Sequence, residues 1–169
     1  MRDVFLYLCV WALINFVCLA VCMLVSADFA NNPTAIVVQG VSYALITVAV
    51  FWKLGWCRVD SPRVLRVSGE KTLYLLLALL PIALAAPSLW LQDALGTEID
   101  EETERVLMEL MSSPLGILHI CLLTPLVEET VFRGAILRRM LKAPMKPAYA
   151  IIVSAIIFGA VHGNAAQFV

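Results

Sequence analysis

Charge is scarce in this 169-residue chain: Asp, Glu, Lys and Arg together make up 15%, against about 25% in an ordinary soluble domain. A small soluble domain leaves much of its surface in water and cannot hide so many apolar side chains, so a water-soluble globule is excluded. Neither sign of charge dominates. A net charge of -1 and a pI of about 6.1 exclude a basic nucleic-acid binder. There is no internal repeat and no low-complexity tract, which excludes fibres and disordered tails. The HExxH ligand pair of a zinc peptidase is also missing. The five cysteines (Cys9, Cys18, Cys22, Cys57, Cys121) have no spacing suited to a zinc ribbon. Four of them fall inside apolar runs, where a thiol acts as a small hydrophobe. Cys18 and Cys22, four apart on one helix face, read as packing rather than as a disulfide. What the chain has in abundance is apolar residues, 62% of the total, with a mean hydropathy of +0.90.

Those residues come in long runs. A spanning helix needs about 20 mostly apolar residues. Val4–Val25 (broken only by Asn15), Thr34–Trp52 and Thr72–Leu91 (interrupted by Pro81 and Pro87) each supply that length. A fourth run starts near Pro114 and stays apolar until Glu128; a fifth runs from Ala148 to at least His162. The expectation is an all-α, multi-pass transmembrane bundle of about five helices, because an open sheet would leave unpaired backbone groups in lipid. Val25-Ser26-Ala27 has the look of a signal-peptidase site. The apolar core before it is long for a cleaved signal and Arg2 is offset by Asp3, so a retained first helix is favoured. The loops set the direction. Residues 53–71 and 133–147 are rich in Lys and Arg, whereas 92–113 is acidic and 26–33 has no base at all. The positive-inside tendency places both basic loops and the N-terminus in the cytoplasm, which fits a cell (inner) membrane protein. The acidic segment reads as an amphipathic surface helix with Ile99, Val106, Leu107, Leu110 and Met111 on its apolar side.

Ionisable residues within a membrane are costly and therefore functional candidates. Two adjacent carboxylates, Glu128 and Glu129, close the fourth run. Arg133 lies four residues after Glu129, on nearly the same helix face and in the favourable order. Glu128 has no oppositely charged residue at that spacing, so the pair divides. Glu129 is suited to hold Arg133, and Glu128 to accept a proton. His162 lies deep in the fifth run, with Phe158 one turn before it. If the fourth helix continues through Leu141 and the chain turns at 143–147, both Glu128 and His162 lie ~20 Å from the turn. Antiparallel neighbours would then bring carboxylate and imidazole to one level. Such a pair can take a proton from water and pass it to a leaving group, which is hydrolysis inside the membrane. The alternatives are a hydrated juxtamembrane turn for the glutamates and a packed core role for the histidine. His119, nine residues before Glu128, is expected to point away from it, since nine steps of 100° bring it to the opposite face. No metal and no other cofactor is expected.

Glu128-Glu129-Thr130-Val131-Phe132-Arg133 resembles the EExxxR motif, and Phe158-Gly159-Ala160-Val161-His162 the FxxxH motif, of the CAAX protease and bacteriocin-processing (CPBP or Abi) family of intramembrane glutamate proteases. The likeness covers roughly Pro114–Val169. It implies a metal-free, all-helical membrane endopeptidase in which Glu128 activates water, His162 assists, Glu129 and Arg133 support the site and Phe158 shapes its wall. It further implies a peptide or lipidated-protein substrate in the membrane. Eukaryotic members trim the terminal tripeptide of prenylated CAAX proteins; bacterial ones are linked to bacteriocin immunity and peptide signalling, and a bacterial origin is the expectation. The family also carries a later histidine with an Asn or Asp four residues on, as an oxyanion hole. Asn164 and Gln167 do not recreate that spacing, so the expectation is a truncated chain, divided into a transmembrane region 1–113 and a partial protease core 114–169. The rival to an enzyme is an inactive relative that binds a membrane peptide or acts in immunity. A proton- or ion-coupled carrier using Glu128 and His162 as relays stands behind both. Nothing in the sequence sets an oligomeric state.

Overall fold

The computed structural model describes residues 2–26, 29, 32–58, 71–96 and 101–162, with most of those in 71–84 and residue 102 as backbone only. Arg63 and Arg66 of the basic loop, Glu98, Ile99 and Asp100 of the acidic segment, and Asn164 and Gln167 lie outside the described residues. Each of the five apolar runs is helical: α1 (Arg2–Val25), α2 (Pro33–Lys53), α3 (Lys71–Leu95), α5 (Pro114–Leu141) and α6 (Pro147–His162), with α4 (Glu101–Met111) in the acidic segment. Among the described residues α1, α2 and α5 are long and apolar enough to cross a membrane; α6 is apolar but only 16 residues long. Large side chains such as Phe5, Leu13, Phe16 and Leu24 of α1 are open to the surroundings. Soluble proteins rarely expose so large an apolar patch, and in a bilayer it is the face that meets lipid. The protein is an all-α membrane helical bundle.

The chain forms two compact units, Met1–Arg58 with Glu101–Ala155, and Val59–Asp100 with Ile156–Val169. In the second, α3 runs unbroken through Pro81 and Pro87. The first unit is built on α1 and α2, which pack along their length, with α5 laid against both. Polar residues stitch the first two together. Trp11 donates its indole N–H to the Tyr43 hydroxyl, and Gln39 donates its amide to Asn15 Oδ1 at 3.2 Å. Four residues forward on α1 are answered by four residues back on α2, as antiparallel helices require. Asn15, the one polar break in the first run, is thus an interhelical contact, worth on the order of 0.6 kcal/mol.

Each helix end has an identifiable cause. Asn32 caps α2 by accepting from Ala35 N–H at 3.2 Å, with Pro33 in the first turn. At the other end Gly55 takes φ 74°. Its N–H reaches Trp52 O at 3.0 Å and the Trp56 N–H reaches Phe51 O at 3.0 Å. These are the two bonds of a Schellman stop, and the Phe51–Trp56 ring contact at 5.1 Å is the apolar contact that accompanies it. Ser113 caps α5, accepting from Gly116 N–H at 3.0 Å ahead of Pro114. The amphipathic reading of 92–113 holds for α4, whose Leu110 is buried while its Glu101, Glu104 and Glu109 face outward.

Between α2 and α5 the contact needs a glycine. A Cβ at Gly40 would run into the His119 ring. Gly40→Ala is therefore expected to displace that ring and weaken the packing by about 1–3 kcal/mol. The readout is loss of helicity in a denaturing-detergent titration, with His119→Ala in the same chain recovering most of the difference. An unshifted midpoint in Gly40→Ala would show that the two helices do not meet there.

Candidate active site

The fourth apolar run becomes a single helix from Pro114 to Leu141, as its extension past Gly134 requires, but it is not a regular α-helix. Two stretches, His119–Leu123 and Glu129–Leu137, are π-helical. The first has a local cause. Pro125 has no N–H and its ring crowds the carbonyl four residues back, at Cys121. The turn widens, and the Thr124 N–H bonds to the His119 carbonyl, five residues behind it. The second stretch takes in Glu129, Phe132 and Arg133. Wide turns of this kind occur often at functional sites. They also set the burial pattern: Val127, Val131, Phe132, Ala135, Ile136 and Met140 are all buried, at steps longer than an α-helix would give.

The π turn changes one expectation. Steps of 100° do not hold through the π-helical His119–Leu123, so the fixed-angle count from His119 to Glu128 no longer applies. His119 lies against Gly40 of α2, with its Nδ1 buried and without a hydrogen-bond partner.

Glu129 and Arg133 pair as the spacing predicts. Glu129 Oε1 lies 3.5 Å from Arg133 Nε, on an outward face where the two side chains are 62% and 48% exposed. Glu128, half-buried, ends the α-helical turn Thr124–Glu128. Across the helix packing Tyr43 of α2 accepts from Trp11 of α1, and the Trp11 ring meets Phe132 of α5 edge-on at 5.6 Å. Periodicity along one helix gave no sign of Trp11 or Tyr43; only their being large polar-tipped aromatics within apolar runs marks them.

Phe158 and His162 belong to the second unit. The ring centroids are 4.6 Å apart in an edge-on arrangement, and His162 Nδ1 lies 2.7 Å from the Phe158 carbonyl oxygen. A carbonyl can only accept, so Nδ1 carries the hydrogen and the neutral ring has its basic lone pair on Nε2. The FxxxH spacing thus fixes the tautomer as well as the ring contact.

The cysteines offer no rival nucleophile among these groups. All five are free thiols, Cys18 and Cys22 included. Burial pushes the Cys57 thiol above its ordinary value, so it is protonated at neutral pH. Among the described residues no three His, Cys, Asp or Glu side chains gather as a metal would need.

The described helices define a membrane-embedded all-α protein with ionisable residues at the end of an apolar run. Comparison adds a family likeness over the C-terminal third. Residues 110–169 match the family model of the type II CAAX prenyl endopeptidase Rce1-like proteins, a stretch that holds both motifs. This match supports membership in the CAAX protease (CPBP) family and, at the family level, a CAAX-type intramembrane protease. No curated protein and no solved structure matches the chain.

Proposed function

We propose that the chain carries the site of a metal-free glutamate endopeptidase that hydrolyses a peptide presented in the membrane, either the C-terminal tail of a prenylated CAAX-type protein or a bacteriocin or signal peptide. The difference between the glutamates supports the reading: Glu129 pairs with Arg133 on an outward face, whereas Glu128 is half-buried. In this reading residues 114–169 supply the protease core and 1–113 the membrane region that shelters it. The basic loops and the N-terminus face the cytoplasm of a cell (inner) membrane.

Glu128 takes a proton from water as the water oxygen attacks the scissile carbonyl carbon. The C–O bond forms and the carbonyl oxygen becomes an oxyanion. As the C–N bond breaks, the proton held on Glu128 passes to the leaving amine. His162 orients the water through Nε2, which the Nδ1–H bond to Phe158 leaves as the accepting nitrogen. Glu129 and Arg133 fix the helical turn that carries Glu128, and the Phe158 ring walls the site beside the imidazole.

The test is turnover by the purified chain in liposomes, given a farnesylated CAAX peptide or its unprenylated counterpart in ¹⁸O-labelled water. The expected result is a released C-terminal fragment, one ¹⁸O in the new carboxylate, and no loss of rate with a chelator. Peptide that is bound but never cut would leave the peptide-binding reading in its place. A rate that a chelator abolishes would sink the metal-free mechanism.

A further inference from the structure

Three apolar helices bring few polar side chains together in the first unit, and Tyr43 of α2 is one that the proposed mechanism leaves unused. Its hydroxyl oxygen accepts the indole N–H of Trp11 on α1. That bond takes up a lone pair and leaves the phenolic O–H to be given elsewhere. Among the described residues this hydrogen has no acceptor. Accepting from Trp11 also polarises the hydroxyl and makes it a better donor in turn. Lipid tails offer nothing to receive it and bulk water does not reach the bilayer core. The half-buried hydroxyl is thus held ready for a group that arrives with an acceptor. Thr47 Oγ1 lacks a partner too, but Thr47 is fully buried and closed to a ligand.

The place of the hydroxyl is set from α5. Helix α2 packs against Thr124–Glu128 and against the stretches on either side of it. Phe132 comes four residues after Glu128, a spacing that keeps two residues on one face in an α-helix and nearly so in the wider turn. Phe132 meets the Trp11 ring edge-on at 5.6 Å, and Trp11 carries the bond to Tyr43. The face of α5 that bears Glu128 is therefore the one turned toward the Trp11–Tyr43 pair, about one helical turn along. A carboxylate there can take a proton from water, but it repels the charge that builds on a carbonyl oxygen as the water adds. That oxygen needs a donor that keeps its own proton, and a phenol does so at neutral pH. On the endopeptidase reading above, we propose that Tyr43 donates its O–H to the scissile carbonyl oxygen and stabilises the oxyanion formed when the Glu128-activated water adds. The hydrogen stays on Tyr43 throughout. Charge gathers on the oxygen as the C–O bond forms and leaves it as the C–N bond breaks, while the leaving amine takes its proton from Glu128.

The experiment uses the full chain in liposomes with the farnesylated peptide of the turnover assay and a phosphinate analogue of it, whose tetrahedral anion stands for the attacked carbonyl. Tyr43→Phe keeps the ring and removes only the hydroxyl. It is expected to lower the single-turnover rate by about 100-fold, the low end for one oxyanion donor. The phosphinate should weaken by a similar factor, while uncut peptide binds as it does to wild type. Trp11→Phe removes the partner and leaves the hydroxyl, so its loss in rate and in phosphinate affinity should stay within about tenfold. Equal losses of phosphinate affinity in the two variants would trace the effect to the broken Trp11–Tyr43 contact. An equal loss of uncut peptide in Tyr43→Phe would trace it to packing, and either result overturns Tyr43 as the donor. Unchanged turnover in Tyr43→Phe, beside a wild type that cuts, overturns this inference alone. A wild type that neither cuts peptide nor prefers the phosphinate overturns the endopeptidase reading and the role of Tyr43 with it.

Discussion

Glu128→Gln is expected to lower peptide turnover by about 10²–10⁴-fold, the usual contribution of a general base, with peptide capture largely intact. The amide keeps the size and shape of the carboxylate, so the half-buried position is still filled. What is lost is the ability to take a proton from water. Glu129→Gln provides the contrast. Its ion pair with Arg133 is exposed, and exposed pairs contribute about 0–1 kcal/mol, so stability should hardly move. Any fall in rate must then come through the orientation of the π-helical turn, and it should be smaller than the fall in Glu128→Gln. The measurement is a single-turnover rate in liposomes, with bound peptide counted separately. Equal losses in the two variants would contradict the separate roles assigned to the two glutamates. Unchanged turnover in Glu128→Gln would remove this residue from the chemistry altogether.

The Glu129–Arg133 pair was legible in the sequence because it depends on one helix. Glu129 and Arg133 are four residues apart, and that spacing brings them onto one face in an α-helix or in the wider turn found here. The spans were legible for a related reason: lipid demands unbroken apolar length, and the runs have no other reading. The continuation of α5 to Leu141 and the turn at 142–146 also agree with the pattern. The widened turn at His119–Leu123 did not follow, because counting at a fixed angle assumes a uniform helix. Pro125 was the available sign that the turn before it would widen, but a proline announces a defect without saying whether the helix kinks, breaks or bulges. Trp11, Asn15, Gln39 and Tyr43 were beyond reach for a different reason. Their pairings join residues 32 and 24 positions apart in the chain, and no periodicity within either helix encodes which partner lies across. The level of Glu128 with His162 came from counting rise along two helices. It remains part of the proposed mechanism, tested by the turnover experiments.

Phe132→Ala is expected to be the most damaging single truncation in the first unit, at about 3 kcal/mol. Phe132 is 1% exposed and ranks with Phe51 among the largest fully buried side chains. In water such a truncation loses both transfer energy and packing. In a bilayer lipid tails are as apolar as the side chain, so the transfer part fades and the cavity dominates, which sets the expectation at the low end of the range seen for Phe→Ala. The ring also has a second duty. It holds the Trp11 indole edge-on, Trp11 in turn donates to Tyr43, and Phe132 itself lies one turn after Glu128 on α5. A cavity at 132 lets Trp11 tilt, and the loss should pass along this chain to the carboxylate. Phe132→Leu fills most of the volume and should cost less than ~1.5 kcal/mol, but it cannot offer Trp11 the same ring face. The two variants therefore separate packing from positioning: Ala loses both stability and turnover, while Leu keeps most of the stability and still loses part of the turnover. Denaturing-detergent titration followed by circular dichroism reads the first quantity and peptide cleavage the second. If Leu restores the rate in full, the aromatic chain from Phe132 through Trp11 to Tyr43 has no part in setting the Glu128 carboxylate.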